Sequence, residues 1–249
     1  MKNILLVVPH PDDEIVGLFT IIKRILRKEK IFIFFLTNGV IDKKSLWFWE
    51  RKTHEEKIKI RISEMKKSLN TLGIKKYFLQ NISTRMLKEN IEITFEKISE
   101  IKKKYKIDTI FCPAYEGGHQ DHDVANFICS RFKNKCKVYE FAEYNFFDNR
   151  IRSNNFFIPS KKDNIIFLTN TEKKEKKRTL EIYKSESSNL NYISFEKESY
   201  RELYEYDYKL PPHRGTLFYR RFSFFSWHPK VDSDKPKQIC KILINSKIF

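Results

Sequence analysis

Two clusters of acidic and imidazole side chains, far apart in the chain, contain the residue types of a hydrolytic metal site. The candidate side chains are His10, Asp12 and Asp13 in PHPDDE and His119, Asp121 and His122 in EGGHQDHD. Adjacent carboxylates repel each other, and they need a cation or a proton-transfer role to be stabilised together. Catalytic zinc sites use three imidazole or carboxylate ligands and keep one position open. Two residues of one cluster and one of the other could therefore form a two-histidine, one-carboxylate site for Zn²⁺, and Fe²⁺ accepts the same ligands.

Each cluster also has a purely structural explanation. One of the paired aspartates could cap a helix that begins near Glu14 and benefit from its dipole. An isolated histidine is more often a surface or hydrogen-bonded residue than a ligand. A shared site is the stronger hypothesis, because both clusters follow strand-like segments and no large apolar residue lies between Glu116 and Asp123.

Apolar runs of strand length alternate with longer amphipathic stretches along most of the chain. NILLVV, IFIFFLT, DTIFCPA and KVYEFAE are typical of buried strands, whereas EEKIKIRISEMKKSLNTL and IEITFEKISEIKKKY have helical spacing. This alternation predicts an α/β fold, Rossmann-like, with a mostly parallel sheet and helices on both faces. Ligands of such sheets bind at the carboxyl ends of the strands, where both clusters lie.

We expect residues 1–249 to form a single domain, because no linker interrupts the chain. Residues from about 190 to 249 differ in composition and are rich in aromatic side chains, as in GTLFYRRFSFFSWHP. We interpret this part as an appendage that packs on the sheet or overhangs the cleft. Core packing is the more common use of its aromatic residues, although those around Arg220 and Arg221 resemble a stacking surface for sugars or bases.

The formal net charge of +17 favours an anionic partner, such as nucleic acid, an acidic membrane surface or a phosphorylated substrate. Lysines interleaved with glutamates are also typical of solvated helix faces, and no nucleic-acid-binding signature accompanies them. No apolar run reaches the ~18 residues of a membrane span, and the amino end does not resemble a signal peptide. We therefore expect a cytoplasmic protein whose four cysteines are free thiols.

PHPDDE followed by HQDH resembles the paired signature of the LmbE-like, or PIG-L, family of zinc-dependent N-deacetylases. Two further segments are similar to that family: TNG at 37–39, and RISEMKKSLNTLG at 61–73, which has an R-x-x-E helix ending in Leu-Gly. The resemblance extends from residue 1 to roughly residue 187. It implies a hydrolase that removes the N-acetyl group from an N-acetylglucosamine-type sugar and releases acetate.

The family pattern implies particular roles for these residues. The implied metal ligands are His10, Asp13 and His122. Asp12 would be the general base that takes a proton from the attacking water, which the metal activates. His119 would polarise the carbonyl and stabilise the oxyanion, held in orientation by Asp121, whose charge would favour an imidazolium. Arg61 is predicted to contact a substrate hydroxyl or phosphate, or else to pair with Glu64 or another acid.

Other functions stay open at this point. The same machinery could act on another N-acyl conjugate, such as an acylated glycopeptide. A protein that binds nucleic acid or an anionic surface is an alternative of a different class, supported only by the charge. Pro9 and the pair Ser185 and Glu186 depart from the family pattern, which leaves the substrate sub-family open. We expect an N-acetylated amino sugar as the partner, phosphorylated or lipid-linked carriers included, and no specific nucleic acid.

Overall fold

A computed structural model describes residues 1–249 and places a seven-stranded sheet at the centre of the molecule. The parallel strands are β1 (Asn3–Val8), β2 (Lys30–Phe35), β3 (Lys76–Leu79), β4 (Thr109–Pro113) and β5 (Lys137–Phe141). The short strands β6 (Tyr144–Asn145) and β7 (Arg152–Ser153) form a separate pair. Antiparallel strands β8 (Asn164–Phe167) and β9 (Lys197–Glu202) complete the sheet in the order β3-β2-β1-β4-β5-β9-β8. The predicted α/β fold with a mostly parallel sheet is confirmed.

Helices cover both faces of the sheet. They are α1 (Asp13–Val16), α2 (His54–Leu72), α3 (Ile91–Tyr105), α4 (Gln120–Ser130), α5 (Asn170–Leu180) and α6 (Pro236–Asn245), with a π-helical turn at Ile21–Ile25. Along β1, Leu5 and Val7 pack into one hydrophobic core, and Ile4, Leu6 and Val8 pack into the other. A strand buried on both sides needs apolar residues at every position, which is why NILLVV shows no alternation. No helix is both long enough and apolar enough to cross a membrane.

The carboxyl-terminal part of the chain contributes directly to the sheet. β9 lies between β5 and β8, and α6 places Ile239 and Leu243 in the core next to α4. The segment KESYRE was not predicted as a strand, because four of its six residues are charged. Two of these, Glu198 and Arg201, are buried and paired with side chains far away in the sequence.

A fully buried ion pair joins β9 to α5 and α1. Lys176 Nζ lies 2.7 Å from Glu198 Oε1 and donates a second hydrogen bond of 2.7 Å to the carbonyl oxygen of Val16. The other carboxylate oxygen of Glu198 accepts hydrogen bonds from the backbone N–H groups of Thr20 and Ile21 at 2.8 and 3.0 Å. Every charged atom therefore has partners, which a buried pair requires.

Replacing Lys176 with Met should lower the free energy of unfolding by about 3–5 kcal/mol, because Glu198 would keep an uncompensated buried charge. Urea denaturation measures the loss. The double variant Lys176→Met/Glu198→Gln should lose less, since the amide oxygen can still accept the two backbone hydrogen bonds. Lys177→Met, on the exposed side of α5, is the matched control and should change little. Equal losses at positions 176 and 177 would contradict a stabilising role for the pair.

Candidate metal and active site

The two clusters meet at the carboxyl ends of β1 and β4, which pair directly with each other. Residues 9–14 follow β1, and residues 116–123 follow β4. The strand order reverses here, because β2 lies on the opposite side of β1, and open α/β sheets form ligand sites at such positions. The ring centroids of His10 and His119 are 4.5 Å apart. The structure thus brings side chains from the two separate motifs into direct contact.

Three candidate ligand atoms form a nearly equilateral triangle. His10 Nδ1 lies 3.3 Å from Asp13 Oδ2 and 3.2 Å from His122 Nε2, and the remaining side, from His122 Nε2 to Asp13 Oδ2, is 3.4 Å. Ligands of a tetrahedral zinc ion, bound at their usual lengths, would stand roughly 3.3–3.4 Å apart. All three side chains are buried. The triangle therefore has the dimensions of a tetrahedral divalent-metal site.

The charges around this triangle also favour a cation. Burial lowers the pKa of His10, but Asp13 and Asp121 outweigh that effect and raise its pKa to about 10. Burial raises the pKa of Asp13, but the two histidines, His122 first, outweigh it and hold the pKa well below its usual range. A proton on His10 thus takes the place of a cation, and metal binding would release it.

The carboxylate of Asp121 orients His10. Its Oδ2 lies 3.0 Å from His10 Nε2 and also accepts hydrogen bonds from the Arg85 backbone N–H at 2.7 Å and from Thr84 Oγ1 at 3.1 Å. Burial raises the pKa of Asp121, but its hydrogen bond to His10 outweighs that effect and brings the pKa below its usual range. An ionised carboxylate at Nε2 fixes the His10 tautomer that leaves a lone pair on Nδ1 for a metal.

Asp121 lies against His119, and its backbone makes the closer contact. Asp121 Oδ2 lies 3.6 Å from His119 Nδ1, whereas the backbone N–H of Asp121 donates a 3.1 Å hydrogen bond to the same nitrogen. The backbone of Asp121, rather than its carboxylate, therefore orients His119. Burial and the charge of His10 lower the pKa of His119 well below its usual value, which disfavours the expected imidazolium. A neutral ring that accepts at Nδ1 carries its proton on Nε2.

Glu143 lies behind His122 and was missed in the sequence. One carboxylate oxygen is 3.2 Å from His122 Nδ1, yet both oxygens are buried and have no hydrogen bond. Burial, followed by the charges of Asp13 and Asp12, raises the pKa of Glu143 well above its usual value. A divalent ion on the far side of His122 would favour the ionised carboxylate and the orienting contact. The available signal was an acidic residue just after a buried strand, in KVYEFAE.

Asp12 has a strained backbone and does not cap α1. Its φ is 123°, which non-glycine residues rarely adopt, and its side chain makes no capping hydrogen bond. Arg61 Nη2 donates a 2.5 Å hydrogen bond to Asp12 Oδ2, and Glu14 accepts one from the Asp12 backbone N–H at 2.9 Å. Burial raises the pKa of Asp12 despite the opposing charge of Arg61. The capping explanation of the paired aspartates is thus not supported at Asp12.

Arg61 is buried and forms ion pairs with acidic side chains. Besides Asp12, its guanidinium contacts Ser185 Oγ at 3.2 Å and Glu186 Oε1 at 3.5 Å. Glu64 instead accepts hydrogen bonds from Ser185. Of the two alternatives for Arg61, the observed contacts match an ion pair with an acid other than Glu64.

A cavity of about 640 Å³ opens above Asp12, Asp13 and His119. Its wall includes three aromatic side chains, Tyr144, Tyr192 and Phe218, whose ring centroids are 4.7–5.0 Å apart. No sequence pattern indicated that Tyr144 and Tyr192 would lie at the site. An aromatic wall beside buried polar groups suits a ligand with one apolar face and several hydroxyl groups.

Comparison with solved structures shows that the fold is shared with several enzymes. A deacetylase of the teicoplanin biosynthesis pathway is 11% identical and has a TM-score of 0.64, over 83% of this chain and 99% of that chain. N,N′-diacetylchitobiose deacetylase from Pyrococcus horikoshii is 19% identical, with a TM-score of 0.55 over 85% of this chain and 84% of that chain. 4-Carboxy-2-hydroxymuconate hydratase from Pseudomonas putida is 13% identical, with a TM-score of 0.50 over 83% and 98%. The fold alone therefore does not determine the activity.

Sequence comparison identifies the family. No protein with a curated function matches the chain significantly by sequence. The model of the PIG-L family, described as GlcNAc-PI de-N-acetylase, matches residues 5–133. The matched segment contains both clusters. Because it spans more than half of the 249 residues, the chain belongs to the PIG-L family.

Proposed function

We propose that the chain is a metal-dependent N-deacetylase that removes the acetyl group from an N-acetylated amino sugar of the N-acetylglucosamine type. The observation that carries the proposal is the triangle of His10, Asp13 and His122, with Asp12 beside it and a cavity in front. Membership of the PIG-L family supports the reaction class, as do two solved structures that are described as deacetylases.

The donor set of two imidazoles and one carboxylate fits Zn²⁺, with Fe²⁺ as the alternative. When bound, a divalent ion would polarise the amide carbonyl and lower the pKa of a water molecule. His10 and His122 would both bind as neutral rings, because Asp121 and Glu143 face their other nitrogens. The two carboxylates would orient both rings for the metal.

Asp12 and His119 would perform the proton transfers and stabilise charge. Asp12 would take a proton from the attacking water and deliver it to the amine nitrogen as the C–N bond breaks, giving acetate and a free amine. His119 would donate a hydrogen bond from Nε2 to the carbonyl oxygen, because its Nδ1 is already occupied. Arg61 would act through Asp12, by holding its strained conformation, rather than by touching the substrate.

The cavity supports a sugar as the substrate. Tyr144, Tyr192 and Phe218 would pack against the apolar face of a pyranose ring, while polar groups at the cavity floor would receive the acetamido group. Another N-acyl conjugate that fits this wall would undergo the same reaction. A phosphorylated or lipid-linked carrier and a cytoplasmic location stay predictions.

Replacing His122 with Ala should abolish stoichiometric metal binding, because only two ligand atoms of the triangle would remain. Elemental analysis of the purified protein measures the metal content. His54→Gln is the matched control, since His54 is a buried histidine outside both clusters whose Nε2 contacts the Ile41 carbonyl oxygen. Unchanged metal content in His122→Ala would refute the ligand assignment.

Replacing Asp12 with Asn should leave the metal bound and lower kcat by roughly 10²–10⁴, the usual contribution of a positioned acid or base. The assay is acetate release from an N-acetylated amino sugar. Asp13→Asn serves as the comparison and should lose the metal. If the metal is lost from Asp12→Asn and retained in Asp13→Asn, the two roles are reversed.

Replacing Glu143 with Gln should weaken metal affinity by about 10–100-fold, because His122 would lose the carboxylate that orients it. Competition with a chelator measures the affinity, independently of activity. Glu116→Gln is the control: burial raises the pKa of Glu116 to about 7, and its hydrogen bonds run to the Glu143 backbone and Asn145 rather than to a ligand. Equal affinity losses in both variants would show that Glu143 has no specific role.

A further inference from the structure

We infer that the mouth of the cavity docks onto an anionic lipid surface. The docking surface, here called the aromatic rim, consists of residues 43–53 and 220–230. It combines exposed aromatic side chains with basic residues in two neighbouring loops. The inference does not depend on the proposed hydrolysis, because docking can be measured without substrate.

The rim exposes an unusual amount of apolar surface. Phe224 is 88% exposed, Phe48 72%, Trp227 68% and Trp49 55%, and Phe222 and Phe225 are also exposed. All three tryptophans of the chain, Trp47, Trp49 and Trp227, belong to the rim. Large exposed aromatic clusters mark interaction surfaces. Tryptophan in particular is enriched where proteins meet the interface of a bilayer.

The two loops form one continuous surface. Trp47 stacks on Trp49 with ring centroids 5.2 Å apart, and the ring of His228 lies 6.3 Å from Trp47 and 5.8 Å from Trp227. Core packing, the more common use of such residues, therefore does not explain the segment FSFFSW, in which every residue is exposed.

The rim borders the cavity. Leu46 and Glu50 of the first loop line the cavity, as do Arg221, Phe222 and Lys230 of the second. Docking of the rim onto a bilayer would therefore turn the cavity opening towards the lipid headgroups.

Two arginine side chains, one within the rim and one outside it, hold the rim backbone in place. Arg85 donates hydrogen bonds to the carbonyl oxygens of Pro229 and Lys230 at 2.9 and 2.6 Å. Arg51 does the same for Leu46 and Lys44 at 2.9 and 2.8 Å. The aromatic side chains are thus presented outwards on anchored loops, which lowers the entropy cost of docking.

The positive charge of the rim favours an anionic partner. It contains seven basic residues and a single acidic one, Glu50; the basic residues are Lys43, Lys44, Arg51, Lys52, Arg220, Arg221 and Lys230. A second copy of the chain would bring two such surfaces together, and like charges would oppose that contact. An anionic bilayer supplies negative headgroups for the basic residues and an apolar layer for the aromatic ones.

Titration with phospholipid vesicles tests the inference. Vesicles with about one quarter phosphatidylglycerol should bind the protein and shift its tryptophan emission to shorter wavelengths, whereas pure phosphatidylcholine should bind far less. Raising the salt from about 0.05 M to about 0.5 M should weaken binding at least tenfold, because screening shortens the reach of the charges. Absence of binding to anionic vesicles, or binding without a spectral shift, would overturn the inference, because every tryptophan lies in the rim.

A pair of variants separates the rim from general stickiness. Phe224→Ser/Trp227→Ser should bind anionic vesicles at least tenfold more weakly and keep its metal content and circular dichroism spectrum. Phe167→Ser is the matched control, because Phe167 is 68% exposed on the edge strand β8, away from the rim. Equal losses in both variants would overturn the inference. Another outcome is that the wild type fails to bind vesicles and instead forms a dimer or a nucleic-acid complex that the rim variant abolishes. That result would overturn the inference and identify the other partner as the occupant of the rim.

Discussion

Repulsion among buried carboxylates is the constraint on which the rest of the site depends. Asp12, Asp13, Asp121 and Glu143 are all buried around the carboxyl ends of β1 and β4, with Glu14 directly behind them. The only permanently charged cation in hydrogen-bond contact with this group is Arg61, which reaches Asp12. The two positive charges of a bound ion would offset the carboxylate repulsion that a single guanidinium cannot. The same carboxylates raise the pKa of His10 to about 10, and both oxygens of Glu143 are buried without a hydrogen bond.

Neighbouring groups stabilise the buried carboxylates in different ways. Glu14 is satisfied by Ser68, Tyr183 and the backbone of Asp12, so it acts as a support beneath the site. Arg61 passes close to Gly39, where a Cβ would lie 2.8 Å from its Nε atom and where φ is +75°. The TNG segment thus allows the guanidinium to approach Asp12. Arg61 therefore links the TNG segment to the PHPDDE motif through Asp12, whose backbone is strained.

The part of the site that lies in local motifs could be predicted from the sequence, and the part formed by isolated residues could not. The parallel strands were predicted because burial on both faces leaves continuous apolar runs. Tyr192 carries no pattern of its own, and Glu143 offers only its position just after a buried strand, so the folded chain is needed to place both at the site. β9 was missed because Glu198 and Arg201 are neutralised by Lys176 and Glu140, which no local pattern reveals. The exposed FSFFSW segment has the composition of a core segment, and composition alone does not distinguish the two.

The pairing of β1 with β4 has a consequence for the synthesis of the chain. His10 and Asp13 are made early, but His122 follows only after β4, and Glu143 follows after β5. During translation the first acidic motif therefore leaves the ribosome long before its partners exist. Contacts between such distant segments form slowly, since a long loop must close first. A complete set of ligands therefore exists only once His122 has been made, at about the midpoint of the 249-residue chain.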